Sequence, residues 1–266
     1  MERGAAFYPT PADVRAEPAL AGGVPSEWLL APDCDRGRVL LYLHGGGYCL
    51  GSLTTHREMI ARIGRAAGCA CLSVDYRLAP EHRFPAALED ALAAYRWLAS
   101  AGADPARIAV AGDSAGGGLC LALLLALRDA GDPMPRAAAL LSPWTDLTLS
   151  GASYAEHAAE DMMVSKAGGA ALAKAYLGGA DPSAPLASPL FGNFSGLPPL
   201  LIQVGTAEVL LDDSLRLADR ARAAGVAVEL ERWEEMFHVW QFWANLPEAA
   251  QAVAKIGIFL RNALGA

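Results

Sequence analysis

Two glycine-rich stretches of the sequence contain the residue types that nucleophilic chemistry requires. The first, "GDSAG" at 112–116, has the G-x-S-x-G pattern. It follows the apolar run "IAVAGD" and precedes a helical pattern, so Ser114 is expected at a strand-to-helix turn. Its small neighbours allow a tight turn that exposes the hydroxyl beside the positive end of a helix. The pattern predicts that Ser114 is a nucleophile; the alternative is a glycine-rich helix start that only packs against a sheet.

The second stretch, "HGGGY" at 44–48, is mostly bare backbone, which costs more entropy on folding than other residues would. When a serine attacks an ester carbonyl, negative charge develops on the carbonyl oxygen, and backbone N–H groups stabilise it there. Side chains would block that approach. We therefore predict an oxyanion hole in which Gly46 and Gly47 donate two N–H groups and Ala115 a third. The alternative is a glycine-rich β-turn.

A serine nucleophile needs a base, and the sequence has five histidines. Only His238, in "EEMFHVW", follows the last strand-like run, "VAVELERW", where a loop can return to the serine. His44 belongs to the glycine loop. We interpret His56, His82 and His157 as solvated surface residues, and we predict that His238 is the base.

The acid that orients this histidine should lie between serine and histidine, after a strand. "PLLIQVGTAEVLLDDS" offers Glu208, three residues past the strand, and then Asp212 and Asp213. A helix-capping role explains the two aspartates without catalysis, although Asp212 remains the alternative acid. Serine, glutamate and histidine then follow the chain order of α/β-hydrolases.

Short apolar runs alternate with helical patterns along the chain. The strand-like runs are "RVLLYLH", "ACLSVDY", "IAVAGD", "AAALLSPW" and "PLLIQVG". Helical patterns run from about His56 to Gly68, Pro85 to Gly102, Ala115 to Gly131, Asp212 or Asp213 to Gly225, and over 247–264. Such alternation predicts an α/β fold, with a mostly parallel central sheet and helices on both faces. We expect one domain over residues 1–266.

Composition restricts the class of protein and its partners. Of the 266 residues, 53% are hydrophobic and 19% charged, which favours a large core over disorder. A net charge of −8 disfavours a nucleic-acid partner. We find no P-loop, no G-x-G-x-x-G after a strand and no H-E-x-x-H, and the cysteine spacing suits no zinc site. We therefore expect no cofactor and no metal.

Two further features bear on location. The first residues, "MERGAAFYPT", contain no apolar stretch of the kind found in signal peptides. The longest apolar run, at 119–127, is far too short to span a bilayer. We expect a cytoplasmic, thiol-reduced protein with no membrane span.

Several motifs together resemble the bacterial hormone-sensitive-lipase family of α/β-hydrolases. They are "HGGGY", "DYRLAPEHRFPAALED" at 75–90, "GDSAGGGL" at 112–119, "GTAEVLLDDS" and "FHVW", within a resemblance that runs from about Val24 to Leu264. It implies a cofactor-free serine esterase acting on short- to medium-chain acyl esters. It also implies a cap, here formed by residues of about 1–21 and 147–197, and scaffold roles for Arg77 and Glu81.

Two departures from the family pattern are visible. Family members commonly have aspartate where Glu208 stands, and "HGGG" begins early, which implies that the N-terminal cap elements are short or missing. Two alternatives to an esterase remain. A lactonase or amidase would use the same serine, histidine and acid. A non-catalytic hormone receptor of this fold would lack the histidine at 238. We expect a small-molecule ester as partner, and a homodimer formed through the edge strand "VAVELERW".

Overall fold

The computed structural model of the chain describes residues 9–265. Within this range the strands are β1 (Arg15–Ala21), β2 (Val24–Leu30), β3 (Asp35–Leu43), β4 (Cys69–Val74), β5 (Ile108–Asp113), β6 (Ala137–Leu141), β7 (Leu200–Gly205) and β8 (Val228–Trp233). They form one sheet in the order β1-β2-β4-β3-β5-β6-β7-β8. The β1–β2 and β2–β4 pairs are antiparallel, and all pairs from β4 through to β8 are parallel. The predicted mostly parallel sheet is confirmed.

The α-helices of the described residues lie between and after these strands. They are α1 (Leu53–Ala67), α2 (Ala86–Ser100), α3 (Ala115–Ala130), α4 (Ser153–Glu156), α5 (Lys166–Leu177), α6 (Leu211–Ala223) and α7 (Pro247–Leu264). Glycine ends two of them as the sequence predicts, since Gly68 and Gly131 adopt left-handed backbone and bind the last carbonyls of α1 and α3. No helix within residues 9–265 is both long and apolar enough to cross a membrane.

The core lies on both faces of the sheet. Every residue of β4, β5, β6 and β7 is buried, as continuous apolar strands require when helices cover both faces. Alternate residues of β3 enter different clusters: Leu41 and Leu43 pack on one side, Leu40 and Tyr42 on the other. The sheet is therefore a rigid platform whose carboxyl edge carries loops.

The amino-terminal part differs from the sequence-based expectation. β1 and β2 form a hairpin, where a cap element over residues of about 1–21 was expected. The cap expectation is therefore wrong for Arg15–Ala21, which belongs to the sheet edge, while residues 1–8 lie outside the described residues. Gly22 and Gly23 turn this hairpin with φ of +62° and +91°, and a Gly-Gly pair between two short runs was the available signal.

The segment 147–197, between β6 and β7, contains α4, α5 and a short 3₁₀ helix at Pro189–Phe191. Tyr176 of α5 stacks on Tyr48 with ring centroids 3.8 Å apart. Leu172 lies directly against Gly47. This segment therefore covers the glycine-rich loop that follows β3. At the far side of the sheet, β8 is the edge strand that the sequence predicts.

Candidate active site

Ser114 lies between the end of β5 and the start of α3, with φ 51° and ψ −121°. This conformation is unfavourable for any residue other than glycine, and it marks a sharp strand-to-helix turn. Cβ atoms on Gly112 and Gly116 would clash with backbone atoms, so the glycines of "GDSAG" are sterically required. The serine is partly exposed, whereas its neighbours in the turn are buried. The predicted turn is therefore present, and it leaves the hydroxyl accessible.

The glycine loop exposes backbone N–H groups near this turn. Gly46 and Gly47 have φ of +116° and +62°, and a Cβ on Gly46 would collide with the carbonyl of Leu50. Among residues 9–265, no protein acceptor binds the N–H groups of Gly46, Gly47 or Ala115. Buried backbone donors are nearly always paired. Donors without a protein partner, beside an accessible serine, can therefore bind an incoming oxygen.

Glu208 and His238 are brought together from loops after β7 and β8. The Nδ1–H of His238 donates to Oε2 of Glu208 at 2.7 Å. The other carboxylate oxygen of Glu208 accepts from the backbone N–H of Gly205 and from the hydroxyl of Ser142, both at 2.7 Å. The glutamate is fully buried and the histidine is 4% exposed. The hydrogen bond from Nδ1 determines the tautomer, so that Nε2 carries no proton and can accept one.

Ser142 is a site residue that the sequence interpretation missed. It follows β6 with a φ of 45°, and its hydroxyl, besides donating to Glu208, accepts from the backbone N–H of Val239 at 3.2 Å. Ser142 therefore links the loop after β7, which carries Glu208, to the loop after β8, which carries His238. A polar residue at the carboxyl end of a central strand, in "LLSPW", was the available signal.

The environment of His238 raises its pKa above the ordinary value. Burial by itself lowers the pKa, but the hydrogen bond to Glu208 and the charge of that carboxylate outweigh it. The pair therefore stabilises an imidazolium, which is the form that a histidine adopts after it has taken a proton.

Asp212 and Asp213 do not cap a helix, contrary to the sequence-based interpretation. The helix α6 begins at Leu211 without a side-chain cap. Asp212 accepts from the backbone N–H of Ser153 at 3.0 Å. Asp213 accepts from the N–H groups of Thr145 and Asp146 at 2.7 and 2.9 Å. Both aspartates hold the chain between β6 and α5, and Glu208 is the carboxylate that contacts the histidine.

The other histidines occupy different environments. His82 is exposed and His157 pairs with Glu160 near the surface. The surface interpretation is wrong for His56, which is fully buried beneath the glycine loop because α1 packs against the sheet. No group of three or more metal-ligating side chains occurs within the described part of the chain.

The fold and this arrangement define a class of protein. A sheet of this strand order carries a serine at the turn after β5, a carboxylate after β7 and a histidine after β8. That combination is the α/β-hydrolase architecture.

Comparison with known proteins agrees. A family model of the α/β hydrolase fold matches residues 40–242. An acetyl-hydrolase from Streptomyces hygroscopicus is 51% identical over 245 residues, covering 92% of this chain and 82% of that protein. An esterase from Acinetobacter venetianus is 37% identical over 255 residues, covering 95% and 84%. The crystal structure of an esterase from the bacterial hormone-sensitive lipase family matches with a TM-score of 0.98 at 53% identity, covering 99% and 89%.

The chain therefore belongs to the bacterial hormone-sensitive-lipase family of α/β-hydrolases, a family of carboxylic ester hydrolases.

Proposed function

We propose that the chain is a serine carboxylesterase for short- to medium-chain acyl esters, with Ser114 as nucleophile, His238 as base and Glu208 as orienting acid. The observation that carries this proposal is the 2.7 Å hydrogen bond between His238 and Glu208. It lies at the same sheet edge as a partly exposed serine with positive φ.

In the first half of the proposed reaction, the Oγ of Ser114 attacks the ester carbonyl carbon while Nε2 of His238 takes the hydroxyl proton. The carbonyl π electrons move to the oxygen, and the N–H groups of Gly46, Gly47 and Ala115 stabilise the resulting oxyanion. When the carbonyl re-forms, the C–O bond to the alcohol breaks. His238 returns its proton to the leaving alcohol, so that an acyl-serine remains.

In the second half, water attacks the acyl carbon and His238 takes a proton from that water. Collapse of the second tetrahedral intermediate breaks the bond to Oγ, which regains the proton from His238. The carboxylic acid leaves and the enzyme returns to its first state. Glu208 keeps its hydrogen bond to Nδ1 of His238 and stabilises the imidazolium in both halves.

Three observations support a small acyl group. One relative at 51% identity is named an acetyl-hydrolase. The crystal structure of EstE5 soaked with p-nitrophenyl butyrate matches with a TM-score of 0.96 at 48% identity, covering 100% of this chain and 91% of that chain. In the present chain Leu172 lies over Gly47, so α5 narrows the space above the proposed oxyanion hole. We expect activity on 4-nitrophenyl esters to fall as the acyl chain lengthens from butyryl to palmitoyl.

Replacement of the nucleophile tests the mechanism. We expect Ser114→Ala to lower kcat for 4-nitrophenyl butyrate by roughly 10⁴–10⁶. The substitution removes only a partly exposed hydroxyl, so the circular dichroism spectrum and Tm should stay close to those of the parent. A purified Ser114→Ala variant with near-parental activity would refute the proposed esterase mechanism.

We further propose a homodimer and a cytoplasmic location. The outer edge of β8 is unpaired within the described residues, and Ile258 of the adjacent α7 is 50% exposed, which favours pairing with a second copy. The five cysteines are all free, in keeping with a reducing compartment. Light scattering at micromolar concentration should give about twice the chain mass of 27.8 kDa, and a single 27.8 kDa species would contradict the dimer.

A further inference from the structure

The carboxylate directly before the nucleophile, that of Asp113, has no part in the proton transfers described above. It is 2% exposed. Its Oδ1 accepts from the hydroxyl of Tyr42 at 2.9 Å and from the backbone N–H of Gly45 at 3.1 Å. Its Oδ2 lies 3.4 Å from Nε2 of His56. This group therefore joins the serine turn, the glycine loop and α1 at one point.

The aspartate is held as an anion. Burial raises its pKa, but attraction to His56 and the hydrogen bond from Tyr42 outweigh burial, and the pKa lies below its ordinary value. A buried anion is expensive unless it is paired and hydrogen-bonded. A charged acceptor also binds a backbone N–H about twice as strongly as a neutral one does. The contact with Gly45 is therefore a strong link to the loop.

Gly45 leaves no room between the loop and this carboxylate. A Cβ at this position would overlap Oδ2 of Asp113, so only glycine permits the approach. The carbonyl of the same residue accepts from Nδ1 of His44 at 2.8 Å. Both polar groups of Gly45 are thus bound.

Fixing Gly45 also determines where the next N–H group points. The carbonyl of Gly45 and the N–H of Gly46 belong to one planar trans peptide, and they point in opposite directions. Binding of Gly45 by Asp113 and His44 therefore sets the direction of the Gly46 N–H, which is the first proposed oxyanion donor. Since Asp113 is covalently joined to Ser114, the same carboxylate also sets the distance from loop to nucleophile.

We propose that Asp113 is a positioning residue for the oxyanion hole. Through its hydrogen bond with Gly45 it holds the glycine loop at a fixed position relative to Ser114. This inference rests on the proposed function. It predicts that loss of the carboxylate impairs stabilisation of the oxyanion specifically, rather than substrate binding or folding in general.

Comparison of an ester with its thionoester isolates oxyanion stabilisation. Sulfur is a larger and weaker hydrogen-bond acceptor than oxygen, so an enzyme that uses backbone donors at the carbonyl loses rate with the sulfur analogue. We would measure kcat/KM for 4-nitrophenyl butyrate and for its thionoester. The oxygen preference is the ester value divided by the thionoester value, corrected by the same ratio of rate constants for alkaline hydrolysis. A defect that lowers the fraction of active enzyme lowers both rates equally and leaves this oxygen preference unchanged.

The test variants are Asp113→Ala and Asp113→Asn, with Asp213→Ala and Asp213→Asn as matched controls. Asp213 is also a buried carboxylate that binds backbone N–H groups, but its donors belong to Thr145 and Asp146, away from the glycine loop. We expect Asp113→Ala to lower the oxygen preference by about 10- to 100-fold, since one misplaced donor costs ~10²–10³ in rate. Asp113→Asn keeps an oxygen acceptor and should lower it by about threefold to tenfold. Both controls should keep the parental preference.

The outcomes separate this inference from the function on which it rests. A parental oxygen preference in folded Asp113→Ala overturns the positioning role. If Asp113→Ala does not fold, Asp113→Asn decides in the same way: a lowered preference supports the role, and an unchanged preference overturns it. If Ser114→Ala abolishes activity but the parent enzyme shows no oxygen preference, the oxyanion-hole assignment fails, and the inference fails with it. An active Ser114→Ala variant would instead refute the proposed mechanism itself.

Discussion

The two sides of the candidate site are built in opposite ways. On the glycine-loop side, the proposed reactive groups are backbone N–H groups, and buried side chains such as Asp113 and His44 hold the loop. On the acid–histidine side, the groups are side chains, and Glu208 is held by a backbone N–H and a hydroxyl. Backbone donors need space and a fixed direction, whereas titratable side chains need a fixed tautomer. Substitutions on the two sides should therefore lower the activity in different ways.

The acid–histidine side should show the larger loss. Glu208→Gln keeps the shape of the side chain but can present an N–H to His238, which favours the wrong tautomer. We expect kcat to fall by about 10⁴. Steady-state kinetics on 4-nitrophenyl butyrate measures this.

Asp212→Asn is the control for that variant, because Asp212 binds the backbone of Ser153 instead of the histidine. It should keep most of the activity. An inactive Asp212→Asn together with a normal Glu208→Gln would show that the acid is assigned to the wrong residue.

The glycine-loop side should show a smaller loss that leaves the histidine unaffected. A side chain on Gly46 would collide with the backbone of Leu50 and turn the N–H away from the substrate oxygen. We expect Gly46→Ala to lower kcat by ~10²–10³, with little change in the pH profile.

The matched control is Gly68→Ala, since Gly68 has φ +66° and an added Cβ there meets nothing within 4 Å. Gly68→Ala places a side chain at a positive φ but creates no steric clash, so this variant should lose only about 1 kcal/mol of stability. Equal losses of activity in the two alanine variants would mean that the loop has no special role.

The pH dependence reports on the acid–histidine side alone. His238 must be neutral to accept a proton, and its pKa lies above the ordinary value of about 6.5. We therefore expect kcat/KM to rise about tenfold per pH unit at low pH and to reach half its maximum above pH 6.5. His44 contributes no step there, because burial and then the nearby His56 lower its pKa to about 4. A flat profile between pH 5 and 8, or a midpoint below 6.5, would contradict this prediction.

The smallest effect on activity concerns Asp213, which belongs to neither side. Burial raises its pKa to about 7. The unfolded chain therefore loses this proton at lower pH than the folded chain does, and the stability that the group contributes below about pH 4 is lost as pH rises through about 7. Asp213→Asn removes that loss.

Relative to the parent, the free energy of unfolding of Asp213→Asn should increase with pH, by at most about 4 kcal/mol between pH 4 and 7.5. Urea unfolding at several pH values measures this, while kcat should change little. A difference between variant and parent that is the same at every pH would contradict the shifted pKa.

The sequence by itself determined the parallel part of the fold and the residues that carry the proposed chemistry. Local signals are sufficient there: an apolar run before "GDSAG", three glycines after β3, and a polar loop after each of the last two strands. The hairpin of β1 and β2 escaped notice because β1, at the sheet edge, is only partly buried, and charged or polar residues interrupt the apolar pattern of both strands.

Only the tertiary structure decided which polar groups hold these residues in place. Ser142 and Glu208 lie 66 positions apart, and Gly45 and Asp113 lie 68 apart. The burial of His56 likewise depends on how α1 packs against the sheet. Such contacts follow from strand register and helix packing, which bring distant residues to one edge of the sheet. Spacing along the chain carries little information about them, because loop lengths between strands vary without changing which strand ends meet.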